Sequence, residues 1–271
     1  MNTRRRKAAE GEPSCGAAQQ HRTSGIERGA GGAPLSGSEP DVPQASVHWE
    51  RRYAADERIW GDGPSELARL AVARLRTYAG PDLTILDVGC GYGRDTRYLA
   101  GEIGCRALGI DGSPAAIEAA RKEHATALRR SRDAQFDVEY LASDVASLAA
   151  DPERAGLYDI VFTCNVHHLL GPIGRREFSA ALAAVTRPGG LLFLSTMSPR
   201  DPQHYAVGEP VSGEERSWVD KVYLHFCTAE ELTRDFAAFE ILDLDERGYD
   251  EPQASGQPHH HTSWFLEGRR R

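Results

Sequence analysis

Short apolar runs alternate with stretches of helical spacing along most of the chain. The runs are rich in valine, isoleucine, leucine and phenylalanine, and several of them end at a glycine or an aspartate. Such runs are typical of buried strands in a parallel sheet, and intervening helices are typical of βαβ units, so the pattern predicts an α/β fold. The predicted strands lie at residues 85–88, 107–111, 136–142, 158–163, 191–195, 239–244 and 263–266, the last of them antiparallel.

Two stretches depart from this alternation. Residues 1–45 are rich in glycine, alanine, serine, proline and arginine and contain no aromatic residue. This composition predicts a disordered tail ahead of a folded domain over residues 46–271. The basic residues at positions 4–7 could tether a nucleic acid or a membrane, but a solvated tail is the simpler interpretation. Residues 198–227 form a long aromatic and polar connection, which predicts a functional insertion or lid.

Four large side chains precede the first strand, namely Trp49, Tyr53, Ile59 and Trp60. They can pack against the sheet, or they can form a lid over a bound ligand, where aromatic faces attract a cation. Tyr53 and Trp60 are the candidates under the second interpretation. We expect a helix directly afterwards, with Ser65 as its N-cap.

A glycine-rich turn after the first strand carries the main chemical signal. Asp87 lies near the end of that strand, and Gly89, Gly91 and Gly93 alternate with larger residues before Arg94 and a helix. Glycines at these places let the backbone approach a ligand closely. The third glycine comes one residue too early for a dinucleotide fingerprint, and no Gly-Lys-Ser/Thr follows. A carboxylate here repels a pyrophosphate and suits a ligand with a cationic amino acid part.

The segment from Asp87 to Gly93 closely resembles the first motif of class I S-adenosylmethionine-dependent methyltransferases, and the resemblance covers roughly residues 49–269. It implies a doubly wound, Rossmann-like sheet of seven strands with helices on both faces, and S-adenosylmethionine as the methyl donor. The opening aromatic residues and the segment around the glycine turn are similar to small-molecule members near the tellurite-resistance and thiopurine types. The Asn/Asp-Pro-Pro-Tyr signature expected for methylation of bases is absent, and Asn165-Val-His-His168 stands there instead.

Three further strand ends complete the predicted donor site. Asp111, followed by Gly112, lies at about the separation from the first strand at which a carboxylate meets ribose hydroxyls. The alternative for Asp111 is an ordinary acidic residue at a helix start. The resemblance implies that Asp144 or its neighbour Val145 contacts the adenine amino group, although Asp144 alone would equally be a helix N-cap. It also implies that Asn165 faces the methyl donor.

Histidines cluster at two places in the sequence. The resemblance implies that His167 and His168, which follow the fourth strand, face the methyl donor and acceptor. There they can serve as a general base for a hydroxyl or thiol acceptor, or they can simply pack beneath the loop. His259, His260 and His261 lie between the last two strands, and consecutive residues of a strand point to alternate faces. No carboxylate or cysteine partner stands at a recognisable spacing, so we predict no metal there. A solvated loop is the default, and a substrate-facing histidine is the alternative.

Composition narrows the classes of function. The net charge of −8 argues against a protein that holds nucleic acid on a basic surface. No apolar run is long enough to span a membrane, and five unclustered cysteines are typical of reduced thiols in a cytoplasm. We therefore expect a cytoplasmic enzyme that moves a methyl group from S-adenosylmethionine to an O, N or S atom of a small molecule. The alternatives are a methyltransferase acting on a protein or nucleic acid, and a non-catalytic S-adenosylmethionine-binding protein.

Overall fold

A large sheet of seven strands forms the centre of the described part of the chain, and a sheet of three short strands follows its fifth strand in sequence. The computed structural model describes residues 43–55, 60–78, 80–130, 137–252 and 258–271. The helices are α1 (Pro43–Ala54), α2 (Glu66–Leu75), α3 (Arg94–Ile103), α4 (Pro114–Arg130), α5 (Val145–Ala150), α6 (Pro172–Val185) and α7 (Ala229–Asp235), with a 3-10 helix at His167–Leu169. The strands are β1 (Thr84–Val88), β2 (Arg106–Asp111), β3 (Val138–Ala142), β4 (Tyr158–Cys164), β5 (Thr186–Met197), β6 (Glu209–Pro210), β7 (Ser217–Val219), β8 (Tyr223–His225), β9 (Phe239–Pro252) and β10 (Pro258–Arg270).

The large sheet has the strand order β3-β2-β1-β4-β5-β10-β9. Neighbouring strands from β3 to β5 are parallel, and β10 is antiparallel to both β5 and β9. The predicted doubly wound sheet with an antiparallel last strand is confirmed. The strand order reverses beside β1, where ligands bind in open α/β sheets. The carboxyl ends of β1, β2 and β4 therefore lie side by side.

Residues of each inner strand alternate between two helical layers, as the period of two residues in a strand requires. In β1, Ile85 belongs to the same apolar cluster as Leu99 of α3, whereas Leu86 belongs to the cluster that contains Leu182 of α6 and Leu232 of α7. All five side chains are fully buried. Burial of one such side chain stabilises the fold by about 1.5–3 kcal/mol, so these two layers hold the strand ends in fixed positions.

Several helices begin at side-chain caps, and the predicted cap at Ser65 is confirmed. The Ser65 hydroxyl accepts a hydrogen bond from the backbone of α2, and Ser113 does the same at the start of α4. At α7, Thr228 and Glu231 form a reciprocal capping box. A side-chain cap of this kind contributes about 1 kcal/mol to stability.

The outer strands differ most from the prediction. β9 and β10 extend well beyond the predicted 239–244 and 263–266, because backbone pairing continues through their polar halves where the apolar pattern has stopped. β5 begins at Thr186, and its pairing with β4 passes from Thr186 opposite Tyr158 to Leu191 opposite Ile160. Residues 187–190, which precede the predicted strand at 191–195, thus lie in an irregularity within β5.

The predicted insertion at 198–227 folds into the sheet of β6, β7 and β8. The rings of Tyr205, Trp218 and Phe226 contact one another, with centroids 4.7–5.7 Å apart. These aromatic residues therefore form a cluster in which Phe226 is fully buried and Tyr205 is partly exposed.

Two further predictions concern the N-terminal tail and the lack of a membrane-spanning segment. Helix α1 begins at Pro43, inside the stretch predicted as a tail, whereas the rest of that prediction, over 1–42, lies outside the described residues. Of the helices that the structure describes, none combines the length and the apolar character needed to cross a membrane.

Candidate functional site

A cavity of about 300 Å³ opens at the carboxyl ends of β1, β2 and β4. Elements far apart in sequence line it: α1, the glycine turn, the start of α4, the segment after β4, and β9. The predicted site residues that line this cavity are Tyr53, Trp60, Asp87, Gly89, Gly91, Arg94, Asp111, Gly112 and Asn165.

The glycine turn forms the floor of the cavity, and its glycine positions leave no room for a side chain. Gly91 has a φ of +53°, and a Cβ atom there would lie 2.7 Å from the hydroxyl oxygen of Tyr53. Gly93 serves a different purpose, since it lies behind the cavity and a Cβ there would lie 2.6 Å from the hydroxyl oxygen of Tyr140. A side chain at either position would force the neighbouring tyrosine to move.

Asp87 is a buried carboxyl group that faces the cavity with few partners. Its side chain accepts a hydrogen bond from the Thr96 hydroxyl at 2.5 Å, and the residue is only 2% exposed. Burial, and then the neighbouring Asp95 carboxylate, raise the pKa of Asp87 to about 8. A cationic group placed in the cavity beside Asp87 would reverse this effect.

Asp111, at the end of β2, is held by the backbone on either side of the cavity floor. Its two carboxylate oxygens accept hydrogen bonds from the N–H groups of Ser113 at 2.8 Å and Gly91 at 3.0 Å. Burial raises the pKa of Asp111, although these two bonds oppose the shift. Each oxygen keeps a lone pair for a further donor, so the group can accept hydrogen bonds from a diol.

Arg94 joins three segments around the cavity. It donates one hydrogen bond to the backbone oxygen of Trp60 and a second, at 2.9 Å, to the Glu251 carboxylate on β9. The Asp95 carboxylate lies 3.8 Å away. Arg94 therefore lines the cavity as predicted, but protein groups already engage its guanidinium.

An aromatic wall covers one side of the cavity. Trp49, Tyr53 and Trp60 line it, and the rings of Trp49 and Trp60 have centroids 5.8 Å apart. Helix α1 is fixed in place because Glu50 accepts hydrogen bonds from the Ser113 hydroxyl and from the first turn of α4. The two residues predicted as a lid, Tyr53 and Trp60, thus lie where a lid would have to lie.

The segment after β4 supplies the opposite wall. Asn165 has a φ of +59°, and its side-chain amide donates to the Tyr249 hydroxyl at 3.3 Å. Val166, Leu169 and Leu170 add an apolar surface. We did not predict these three residues, because the sequence does not distinguish cavity-lining residues from buried core ones.

The structure does not bring His167 or His168 to the cavity. The ring centroid of His167 lies 5.4 Å from that of Phe236, and neither histidine is more than 6% exposed. Burial, followed by Arg175 for His167 and by His261 for His168, lowers the pKa of each to about 3. A base this weak contributes little near neutral pH, so the packing role fits their positions better than the base role.

Asp144 and Val145 also lie away from the cavity. The Asp144 carboxylate accepts the N–H of Ser147 at 2.8 Å and caps α5, and the residue is exposed. Val145 packs in the apolar core. The helix-cap alternative for Asp144 is the one that the structure shows.

The late histidines lie in β10, and the solvated loop expected for them is not found. His261 is buried, whereas His260 on the other face of the strand is exposed and contacts Asp250 at 2.9 Å. The ring nitrogen Nδ1 of His261 lies 3.3 Å from a carboxylate oxygen of Asp201. The fold thus supplies the carboxylate partner that sequence spacing did not reveal.

Comparison with known proteins identifies the family to which this chain is similar. Residues 85–190 match the model of a methyltransferase domain. A ubiquinone biosynthesis O-methyltransferase of Methylocella silvestris is 29% identical over 170 residues, which cover 61% of this chain and 60% of that protein. The protein of the same name from Bordetella avium is 32% identical over 180 residues, which cover 63% of this chain and 68% of that protein. The alignment with the first of these relatives thus spans three-fifths of the relative's length.

A solved structure supports the same assignment at the level of the fold. The structure of an S-adenosylmethionine-dependent methyltransferase from Anabaena variabilis superimposes with a TM-score of 0.65 at 18% identity, covering 86% of this chain and 98% of that one. The matched domain contains the glycine turn with Asp87, and it contains Asp111 at the end of the neighbouring strand. The chain belongs to the class I S-adenosylmethionine-dependent methyltransferases.

Proposed function

We propose that the protein transfers the methyl group of S-adenosylmethionine to a nucleophilic O, N or S atom of a small molecule. One observation carries the proposal: two carboxyl groups, Asp87 and Asp111, flank a glycine floor at the ends of adjacent parallel strands, inside a cavity with an aromatic wall. The matched relatives are named O-methyltransferases, which favours a hydroxyl group among the three kinds of acceptor.

The residues present fit this donor. Asp87 forms no ion pair with any residue that the structure describes, and the influence of Arg94 still leaves its pKa at about 8, which an ammonium group would lower. Asp111 has acceptor capacity for a ribose diol, and Tyr53 and Trp60 offer aromatic faces to a sulfonium cation. Bound S-adenosylmethionine supplies the electrophilic methyl group.

The protein's part in the reaction is alignment and exclusion of water. The glycine turn, Asp87 and Asp111 fix one partner, while Leu169 and Leu170 give the second partner an apolar surface next to it. Holding two reactants in line converts a bimolecular encounter into an effectively unimolecular step. Neither His167 nor His168 is assigned as a general base, because neither lines the cavity.

Calorimetry with S-adenosylmethionine and its demethylated product, beside turnover on a panel of hydroxyl, amine and thiol metabolites, tests the proposal. We expect both cofactor forms to bind and at least one small acceptor to be methylated. Binding without turnover on any acceptor class would favour the non-catalytic alternative. Failure of both cofactor forms to bind would overturn the proposal.

A deletion separates small-molecule from macromolecular acceptors. Removal of residues 1–42 leaves α1 intact, since this helix begins at Pro43. Turnover on the small acceptor should not change, because every described residue that lines the cavity lies after Pro43. An enzyme that recruits a nucleic acid through the basic residues at 4–7 would lose activity on that substrate.

A further inference from the structure

Four side chains that the reaction does not use meet at one corner of the large sheet, and we call Asp201, His204, His259 and His261 the histidine corner. Asp201 follows β5 and is 2% exposed, and His204 lies one turn later in the chain. His259 and His261 lie on β10, which pairs with β5. The backbone N–H of Thr262 donates to Asp201 at 2.9 Å, and this bond fixes the two segments against each other.

The ligating atoms of three of these residues converge. Nδ1 of His204 lies 3.0 Å from Oδ1 of Asp201, and Nδ1 of His261 lies 3.3 Å from Oδ2. One ligand atom from each of the three residues lies within 4.8 Å of the other two. With metal–nitrogen bonds of about 2.0–2.1 Å, ligand atoms around one ion are roughly 3–3.5 Å apart, so a small closure brings these atoms to bonding distance.

We propose that the histidine corner binds one divalent transition-metal ion of the zinc type, through a carboxylate oxygen of Asp201 and ring nitrogens of His204 and His261. Two imidazoles with one carboxylate suit zinc, cobalt or iron, whereas magnesium prefers oxygen ligands. The ring of His259 closes the remaining side, with its centroid 4.7 Å from that of His204 and 4.5 Å from that of His261. Nδ1 of His259 is buried and has no hydrogen-bond partner in the described part of the chain.

The proposal also accounts for two unpaired atoms next to the corner. Nε2 of His261 and Oε2 of Glu251 are both buried and make no hydrogen bond to any residue that the structure describes, yet they lie 3.6 Å apart. When Nδ1 of a histidine binds a metal, its proton resides on Nε2, which usually donates to a carboxylate. A metal on His261 would thus make Nε2 a donor to Glu251.

Glu251 connects the histidine corner to the cavity. Its other oxygen accepts a hydrogen bond from Arg94 at 2.9 Å, and Glu251 itself lines the cavity wall. The metal would therefore fix the orientation of a carboxylate beside the methyl donor and hold the segment after β5 against β10. The role is one of positioning, since none of the three ligands lines the cavity.

Titration of the chelator-treated full chain with Co²⁺ and Zn²⁺ tests the site without donor or acceptor, so its outcome is independent of the proposed function. We expect one equivalent of Co²⁺ to bind with a visible absorption band, and Zn²⁺ but not Mg²⁺ to displace it. His204→Gln and Asp201→Asn should each weaken binding at least about tenfold. Because Asp201→Asn risks misfolding, the partly exposed His204 supplies the safer variant.

His260→Gln is the matched control, since His260 belongs to the same run but points to the other face. We expect this variant to bind Co²⁺ like the wild type. Equal weakening by His260→Gln and His204→Gln would mean that the run chelates the ion at the surface, and would overturn the proposal. So would the absence of saturable binding in the wild type, or unchanged binding in a folded His204→Gln variant.

Discussion

Asp87 and Asp201 are equally buried, each 2% exposed, but their pKa values move in opposite directions. Burial and the Asp95 carboxylate raise the pKa of Asp87 to about 8. Burial alone would also raise the pKa of Asp201, but hydrogen bonds from His204, His261 and the backbone outweigh it and hold that pKa well below its usual range.

The two pKa values shift in opposite directions because the protein provides different numbers of hydrogen-bond donors to the two carboxyl groups. Asp201 accepts hydrogen bonds from three backbone N–H groups, besides its contacts with two imidazoles. Among the described residues, Asp87 accepts one hydrogen bond, from Thr96, and it also lines the cavity. A buried carboxyl group with as few protein partners as Asp87 is typical of a group that binds a ligand. The hydrogen-bond donors of Asp201, in contrast, come from the protein itself.

The largest effect that we expect concerns stability. Asp201→Ala should lower the free energy of unfolding by about 3–5 kcal/mol, because it leaves several buried donors without an acceptor. Asp201→Asn should cost less, since the amide oxygen still accepts. Asp87→Asn should change the free energy of unfolding of the donor-free protein by less than about 1 kcal/mol, because the carboxyl group is largely protonated near neutral pH. Urea unfolding of chelator-treated protein measures the free energy of unfolding of all three variants. Equal losses of stability at Asp87 and Asp201 would contradict the proposed difference between the two carboxyl groups.

Cofactor affinity provides the next effect in size. Asp111→Ala should weaken S-adenosylmethionine binding at least tenfold, because each charge-assisted hydrogen bond contributes about 1.5–3 kcal/mol and about 1.4 kcal/mol is a factor of ten. Asp111→Asn should lie between the alanine variant and the wild type. Asp144→Ala is the control, since this exposed helix cap does not line the cavity. Unchanged affinity in a folded Asp111→Ala variant would show that the ribose assignment is wrong.

Donor binding should also depend on pH through Asp87. Its pKa of about 8 means that the carboxyl group must release a proton to meet an ammonium group, so affinity should rise roughly fifty-fold from pH 6 to pH 8. The stability of the donor-free protein should depend on pH in the opposite direction. Its native state keeps a proton on Asp87 that the unfolded chain releases near pH 3.8. The contribution of Asp87 to the free energy of unfolding therefore falls as the pH rises from 3.8 towards 8. Calorimetry in buffers of different ionisation enthalpy detects the released proton. Asp87→Asn should abolish both effects, and a flat pH profile in the wild type would contradict them.

The smallest effect should come from His167 and His168. Their pKa values of about 3 make them neutral and weakly basic, and neither lines the cavity. Alanine at both positions should therefore lower turnover well under tenfold, once rates are corrected for the folded fraction. A loss of about 10²–10⁴ in turnover would restore the general-base hypothesis.

The sequence predicts features that depend on neighbouring residues. The sequence predicts the positions of Asp87, the glycine turn and Asp111, because adjacent parallel strands in a βαβ unit end at the same edge of the sheet. Residues at the ends of β1 and β2 therefore line the same cavity. The lengths of β9 and β10 could not be predicted, because pairing between their polar halves depends on backbone hydrogen bonds and leaves no apolar pattern.

Features that depend on distant pairing could not be predicted. Asp201 meets His261 across 60 residues, and Glu251 meets Arg94 across 157. Nothing in the local pattern distinguishes Glu251 from the other acidic residues of β9. His167 and His168 were placed by resemblance, which locates the segment but not the direction of each side chain.

The two hydrogen bonds of Arg94 also bear on the order in which the site is assembled. One reaches Trp60, ahead of the first strand, and the other reaches Glu251, in the last hairpin. The glycine turn and both cavity aspartates are synthesised long before Glu251, and Glu251 can join the described cavity wall only when β9 and β10 add to the sheet. Contacts of such long separation form slowly. A chain that ends after β5 would therefore carry the glycine turn and both aspartates but lack the carboxylate that holds Arg94.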